Sequence, residues 1–238
     1  MLNPVAPTQA IAKNDQILTI AAGEIPYVFH PVKKGPYNQV FEQLVANMPV
    51  NVRLKYYPLK RAMKRMATQD YDCFAMALKD SPNWAKLGID PSFFQFVGPI
   101  NTINIKVYLA AGQSMETLEQ LSGSMVTADS SIINLHSQFS SFEQRVNLVG
   151  TDSYVVALEQ LVSGRAAAAL AYDADVAMLG ADHPLKGAVV DTGIVLASFQ
   201  DGIICKDTER LEPIISAMQA KIDAMRDSGT LTELLQSQ

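Results

Sequence analysis

A chain of 238 residues, 48% hydrophobic and 18% charged, can bury one large core or two smaller ones. Its formal charge of -5, with acids and bases interspersed rather than in blocks, excludes a nucleic-acid surface and a polybasic membrane anchor. A small molecule or another protein remains as the partner.

The opening MLNPVAPTQAIAKNDQ has no basic start and no apolar run, so it reads as neither a signal peptide nor a membrane-inserted segment. That leaves a cytosolic protein or one whose leader has been removed. QILTIAAG (16 to 23) reads as a strand, EIPYVFHPVKKG as a loop punctuated by Pro26, Pro31 and Gly35, and PYNQVFEQLVANM as a helix with Val40, Leu44 and Val45 at helical spacing. VNVRLKYY alternates like a half-buried strand, LKRAMKRMATQD is helical, and YDCFAMAL returns to strand. Strands and helices alternating at this length favour βαβ units and a parallel sheet.

Residues 93 to 111, FFQFVGPINTINIKVYLAA, form a long extended segment broken by Gly98 and Pro99, read as leaving one sheet and entering another. The alternation then restarts with SMVTAD, SSIINLHSQF, RVNLVG, SYVVALEQLVSG, RAAAALAYD and DADVAMLGA. A second long extended run, GAVVDTGIVLASFQDGIICK, precedes two C-terminal helices separated at Gly229. The first of these has Thr208 as its cap, with Leu211, Ile214, Ile215 and Met218 on one face. Two extended crossings around a central α/β unit predict two lobes joined by a double hinge.

Cys73 and Cys205 sit in apolar, strand-like runs far apart in sequence. Two buried thiols are the favoured reading, and a disulfide forms if those strands are neighbours. His30, His136 and His183 are widely separated, no metal-ligand spacing occurs, and no nucleotide-binding or hydrolase motif is present, so no metal and no cofactor are expected.

The stretches GEIPYVF, YPLKRAMKRMATQDYDCF, FVGPI, MVTADSS, ALEQLVSGRAAAALAYD and GIICKDTERLEPIISAMQAKIDAMRDSGTLTEL, in this order, resemble the type II periplasmic solute-binding proteins, in particular the family-3 group associated with amino-acid uptake. The resemblance covers residues 15 to 235. It implies an α/β fold of two lobes, each a mostly parallel sheet flanked by helices, joined by two hinge strands. Lobe one would be 15–102 plus 195–238 and lobe two 103–194, with hinges near 101–104 and 192–198. It also implies a monomer that captures a small polar organic ligand, amino-acid-like or an organic acid, between the lobes. The ligand would be presented to an ABC-type transporter or a sensor in the periplasm, the leader having been removed.

The same resemblance places ligand contacts. The family's carboxylate-holding arginine would fall on Trp84 and its threonine on Ser81, a departure that puts α-amino-acid binding in doubt, because an indole cannot replace the two parallel bonds of a guanidinium. Arg61, with Lys79 or Lys86, is then the expected anion anchor; for Arg61 a solvated helix face is the alternative. Glu24 and Tyr27 lie in the loop after the first strand, where ligands collect in such sheets. Ser130 and Ser131 open a second-lobe helix whose N–H groups can hold an anion, although Asp129 beside them weakens that site. Asp173 matches the family aspartate that pairs with a ligand ammonium, and Asp175 reads as a cap of the next helix. A lyase or dehydratase using Glu24 and Asp173 as acid and base is the alternative to pure binding, and a docking or sensory module with little ligand binding is a third.

Overall fold

A computed structural model of the chain describes residues 14–68, 70–81, 84, 88–135 and 140–236. Lys86 and His136 lie outside the described residues. The first strand, β1 (Asn14–Glu24), is followed by α1 (Pro36–Val45), β2 (Val50–Pro58), α2 (Leu59–Ala67) and β3 (Cys73–Leu78). β1 pairs in parallel with β2 on one side and β3 on the other. Its Leu18, Ile20, Ala21 and Ala22 are fully buried, which is what a strand covered on both faces requires. Helix α1 begins at a proline and buries Tyr37, Val40, Phe41 and Leu44 at the spacing of one helical face.

The second parallel set is built the same way. β5 (Met125–Asp129), α3 (Ser130–Ile133), α4 (Ser140–Glu143), β6 (Asn147–Thr151), α5 (Tyr154–Val162), β7 (Ala168–Tyr172) and α6 (Asp173–Ala177) follow in order. β5 pairs in parallel with β6 and β7.

Two long strands, β4 (Phe94–Ala110) and β8 (Val189–Lys206), run antiparallel to each other and join the two sets. β3 pairs with β8 and β4 with β7, so the strand order is β2-β1-β3-β8-β4-β7-β5-β6. The result is one continuous eight-stranded sheet with two lobes and a separate core in each. The long helix α7 (Glu212–Asp227) returns to the first lobe, burying Ile214, Ile215, Met218, Ile222 and Met225, and α8 (Thr230–Gln236) packs beside it with Leu231 buried. Burying each of these side chains contributes about 1.5–3 kcal/mol, which anchors the chain terminus to the lobe that the N-terminal strand began.

At the junction of the lobes the β4–β8 ladder breaks between Val97 and Asn101. The backbone groups freed there are satisfied by side chains. Gln219 of α7 accepts from the Gly98 N–H and donates to its carbonyl, each at 2.9 Å, while the Asn101 N–H donates to the Asp201 carboxylate at 2.8 Å. Gly202 is required by close approach, since a Cβ there would lie 2.4 Å from the Val97 carbonyl oxygen.

Cys73 of β3 and Cys205 of β8 are direct cross-strand partners and are joined in a disulfide. The favoured expectation of two buried thiols is therefore corrected: the two apolar runs are neighbours, because β8 inserts between β3 and β4. The bridge ties residues 132 apart in sequence, and closing so long a loop restricts the unfolded chain. Peptide mapping without reduction should recover Cys73 linked to Cys205, and the Cys73→Ala/Cys205→Ala pair should lose about 2–5 kcal/mol in denaturant unfolding. Free thiols in the native protein would contradict the pairing.

Candidate functional site

Two adjoining cavities open between the lobes. The outer one, about 320 Å³, is bounded by Glu24, Ile25, Pro26 and His30 from the loop after β1 and by Leu59 and Met63 of α2. Its second-lobe wall includes Asp129, Ser130, Ser131, Asp152, Tyr154, Tyr172 and Asp175. The inner one, about 70 Å³, lies deeper and shares Ile25, Leu59, Met63, Ser131, Tyr172 and Asp175 with the first. Its remaining walls are Tyr37, Phe74, Met76, Leu78, Ser81, Trp84, Ile103, Ala174 and Asp201, so it is mostly apolar.

Local backbone explains how several of these side chains arrive. Met76 sits at the bulge between Ala75 and Ala77 in the β3–β8 pairing, with φ 63°, a left-handed conformation that costs a non-glycine residue on the order of 1 kcal/mol or more. The bulge gives Met76 a place in the cavity wall. Asp129 caps α3, accepting from the N–H groups of Ser131 and Ile132 at 2.7 and 3.2 Å and from the Ser131 hydroxyl at 2.5 Å. The N–H groups at the start of that helix are therefore already taken by a carboxylate of the chain itself, which closes them to an anionic ligand.

The lobes touch across the cleft. The Tyr154 hydroxyl of α5 donates to the Pro26 carbonyl at 2.9 Å, and the rings of Tyr27 and His183 meet edge-on with centroids 4.9 Å apart.

Two buried acids dominate the electrostatics. Asp201, 1% exposed, accepts from the Tyr37 hydroxyl and from the Asn101 N–H. Burial pushes its carboxyl up to about 7, against the lowering effect of those two donors. Asp175, 6% exposed, has no hydrogen-bond partner among the described residues. Burial first, then the charges of Asp129, Asp201 and Asp173, raise its carboxyl well above the ordinary range. Burial and the neighbouring Asp201 likewise raise the Tyr37 hydroxyl, and burial and Asp129 raise that of Tyr172, so both phenols are donors at neutral pH.

The structure brings Glu24, Ser130 and Ser131 to the outer cavity and Ser81, Trp84 and Ser131 to the inner one. Other sequence candidates stand elsewhere. Arg61 is exposed on α2 and lines neither cavity; the solvated-face alternative describes its position, because the helix turns Ala62 and Met66 inward instead. Lys79 is exposed, with its Nζ 5.8 Å from the Phe96 ring centroid. Tyr27 is turned toward His183 and Lys33 and lines neither cavity.

Asp173 accepts from the N–H and side-chain amide of Asn104, at 2.8 and 2.6 Å, and from the Ala174 N–H at 2.8 Å. It thereby pins the start of α6 to β4 and lines a separate groove with Lys106 and Asp191. Asp175, two residues on, faces the cleft, and no helix cap is formed by it. Glu24 and Asp173, the expected acid and base, thus line different cavities.

Sequence reasoning passed over Tyr37, Met63, Met76, Tyr172 and Asp201, and read Asp175 as a helix cap rather than a cleft residue. A signal existed for Asp201, an acid followed by glycine directly before the apolar run Ile203, Ile204 and Cys205. For Asp175 the phase of a five-residue helix decides, and for Met76 the bulge leaves no trace in the residue pattern.

No protein-family profile and no curated protein matches the chain. Solved structures do. The probable amino-acid ABC transporter extracellular-binding protein YtmK of Bacillus subtilis superposes with a TM-score of 0.73 at 16% identity, covering 93% of this chain and 97% of its own. A histidine kinase sensor domain with similarity to periplasmic binding proteins gives 0.71 at 13%, covering 92% and 94%. An ancestral amino acid-binding protein, precursor of cyclohexadienyl dehydratase, gives 0.71 at 15%, covering 92% and 93%. The chain therefore shares the periplasmic-binding-protein-like fold of these structures.

The raised carboxyl of Asp201 fixes a pH dependence. The folded state holds this proton more tightly than the unfolded chain, whose carboxyl titrates near 3.8, so the associated stability is complete below that pH and is lost as pH rises to about 7. Asp201→Asn keeps an acceptor for Asn101 and an amide that Tyr37 can accept from. Relative to it, the unliganded wild type should lose on the order of 4 kcal/mol between pH 4 and pH 7 in chemical denaturation. Parallel pH profiles for the two proteins would contradict the assignment.

Proposed function

We propose that the protein is an extracytoplasmic solute-binding protein that reversibly captures a small organic molecule in the interlobe cleft, without covalent chemistry, and presents it to an ABC-type transporter or a sensor. The observation that carries this reading is the pair of adjoining cavities walled by both lobes, at the point where the β4–β8 pair and contacts such as Tyr154 to Pro26 connect them. A ligand touching both walls would favour the closed arrangement by its differential contacts alone. The proposed lobes are 15–102 plus 195–238 and 103–194, and the proposed working form is a monomer.

The Cys73–Cys205 disulfide supports an oxidising compartment such as the periplasm. Binding proteins of transporters and a sensor domain among the structural neighbours support both destinations for the liganded form. Of the nine candidate contacts, we retain Glu24, Ser81, Trp84, Ser130 and Ser131 as ligand contacts and add Asp175. Arg61, Lys79, Tyr27 and Asp173 act outside the cleft.

Thermal unfolding against panels of amines, amino acids, organic acids and short peptides tests the capture reading. A bound solute at about 100 times its Kd should raise the midpoint by roughly 5–10 °C. Trp84 is the chain's single tryptophan and lines the inner cavity, so its emission should change with the same ligand. Ser131→Trp, which puts an indole at the border shared by both cavities, should abolish the shift while the circular dichroism spectrum is retained. A shift that survives in Ser131→Trp would place binding elsewhere.

A further inference from the structure

The ionisable side chains of the cleft are almost all acids. Glu24, Asp129, Asp152, Asp175 and Asp201 line the two cavities, and among the described lining residues there is no lysine or arginine. His30, at the rim, uses its Nδ1 to accept from the N–H groups of Val32 and Lys33. The acids are not equivalent. Asp129 is occupied by the start of α3, and Asp201 by Tyr37 and Asn101. Asp175 is buried with no donor to satisfy it among the described residues, and it borders both cavities. A buried carboxylate without a partner is costly, and a cation is the group that reverses the cost.

The wall beyond Asp175 is of another kind. Leu59, Met63, Phe74, Met76 and Trp84 give an apolar end with two adaptable thioethers and a large aromatic face. A ligand carboxylate would find no guanidinium or ammonium among the described lining residues and five acids there, Glu24, Asp129, Asp152, Asp175 and Asp201.

From this arrangement we infer that the captured solute is a small organic amine without a carboxylate, its ammonium against Asp175 and its apolar body in the inner cavity beside Trp84. The inference rests on the solute-capture reading above and narrows it to one chemical class. Asp175 supplies the charge-assisted hydrogen bond; the Ser131 hydroxyl, which donates to Asp129, borders the same space and can accept a remaining N–H.

Isothermal titration calorimetry of the full chain at pH 7 tests it with matched probes: phenethylamine, isoamylamine and cadaverine, their carboxylate counterparts 3-phenylpropionate, isovalerate and glutarate, and phenylalanine as the zwitterion. At least one amine should bind about 100-fold more tightly than its acid counterpart, with phenylalanine weaker than phenethylamine. Asp175→Asn, nearly identical in shape, should weaken that amine by about 100-fold while its unfolding midpoint without ligand stays at or above that of the wild type. Lys79→Ala should leave amine affinity unchanged. An acid binding as tightly as its amine, or equal amine affinity in Asp175→Asn, overturns the amine assignment and leaves solute capture standing. No heat with any probe overturns both.

Discussion

The antiparallel pairing of β4 with β8 is the constraint from which the remaining architecture follows. Each strand is long enough to serve both lobes, so their ladder is at once the connection between the two parallel sets and the floor of the cleft. Where the ladder breaks, between Val97 and Asn101, backbone groups are handed to Gln219 and Asp201. An acid is thus fixed at the base of the cleft by the needs of the main chain, and Tyr37 of α1 completes its coordination. Gly202 beside it lets the two strands approach, and Cys205 three residues further locks β8 to β3.

This construction separates acids that hold the fold from one that is left over. Asp72 accepts from Thr19, Asp173 from Asn104, Asp129 from the start of α3, and Asp201 from Tyr37 and Asn101. Each stabilises a turn, a helix start or a crossing. Asp175 satisfies nothing in the described chain, and its burial beside other carboxylates raises the free energy of its charged form. An acid left unpaired in a cavity walled by both lobes is the feature on which the proposed amine rests.

The sequence made the architecture legible to a large extent. Period-two runs became β2 and the helical spacing of Val40 and Leu44 became α1, and the two long extended segments became β4 and β8, because hydrophobic periodicity is imposed by the same burial that builds the lobes. The site was less legible. Ser81 and Trp84 came from the family resemblance, as the positions on which its threonine and arginine fall. Asp173 and Asp175 differ only in helix phase, and five residues do not contain enough periodicity to say which acid faces the cleft. Arg61 drew attention through the family's arginine motif, yet its neighbours Ala62 and Met66 are the residues α2 buries. Backbone events such as the Met76 bulge are set by strand register across the sheet, which no local pattern encodes.

The most direct measurement of the account is a crystal structure of the protein with its bound solute. The account requires the ligand to contact both lobes in the cavities between Ile25, Met63, Trp84 and Tyr172, with an amine nitrogen within about 3 Å of the Asp175 carboxylate. A solute held by one lobe alone, or one presenting a carboxylate to this site, would contradict it.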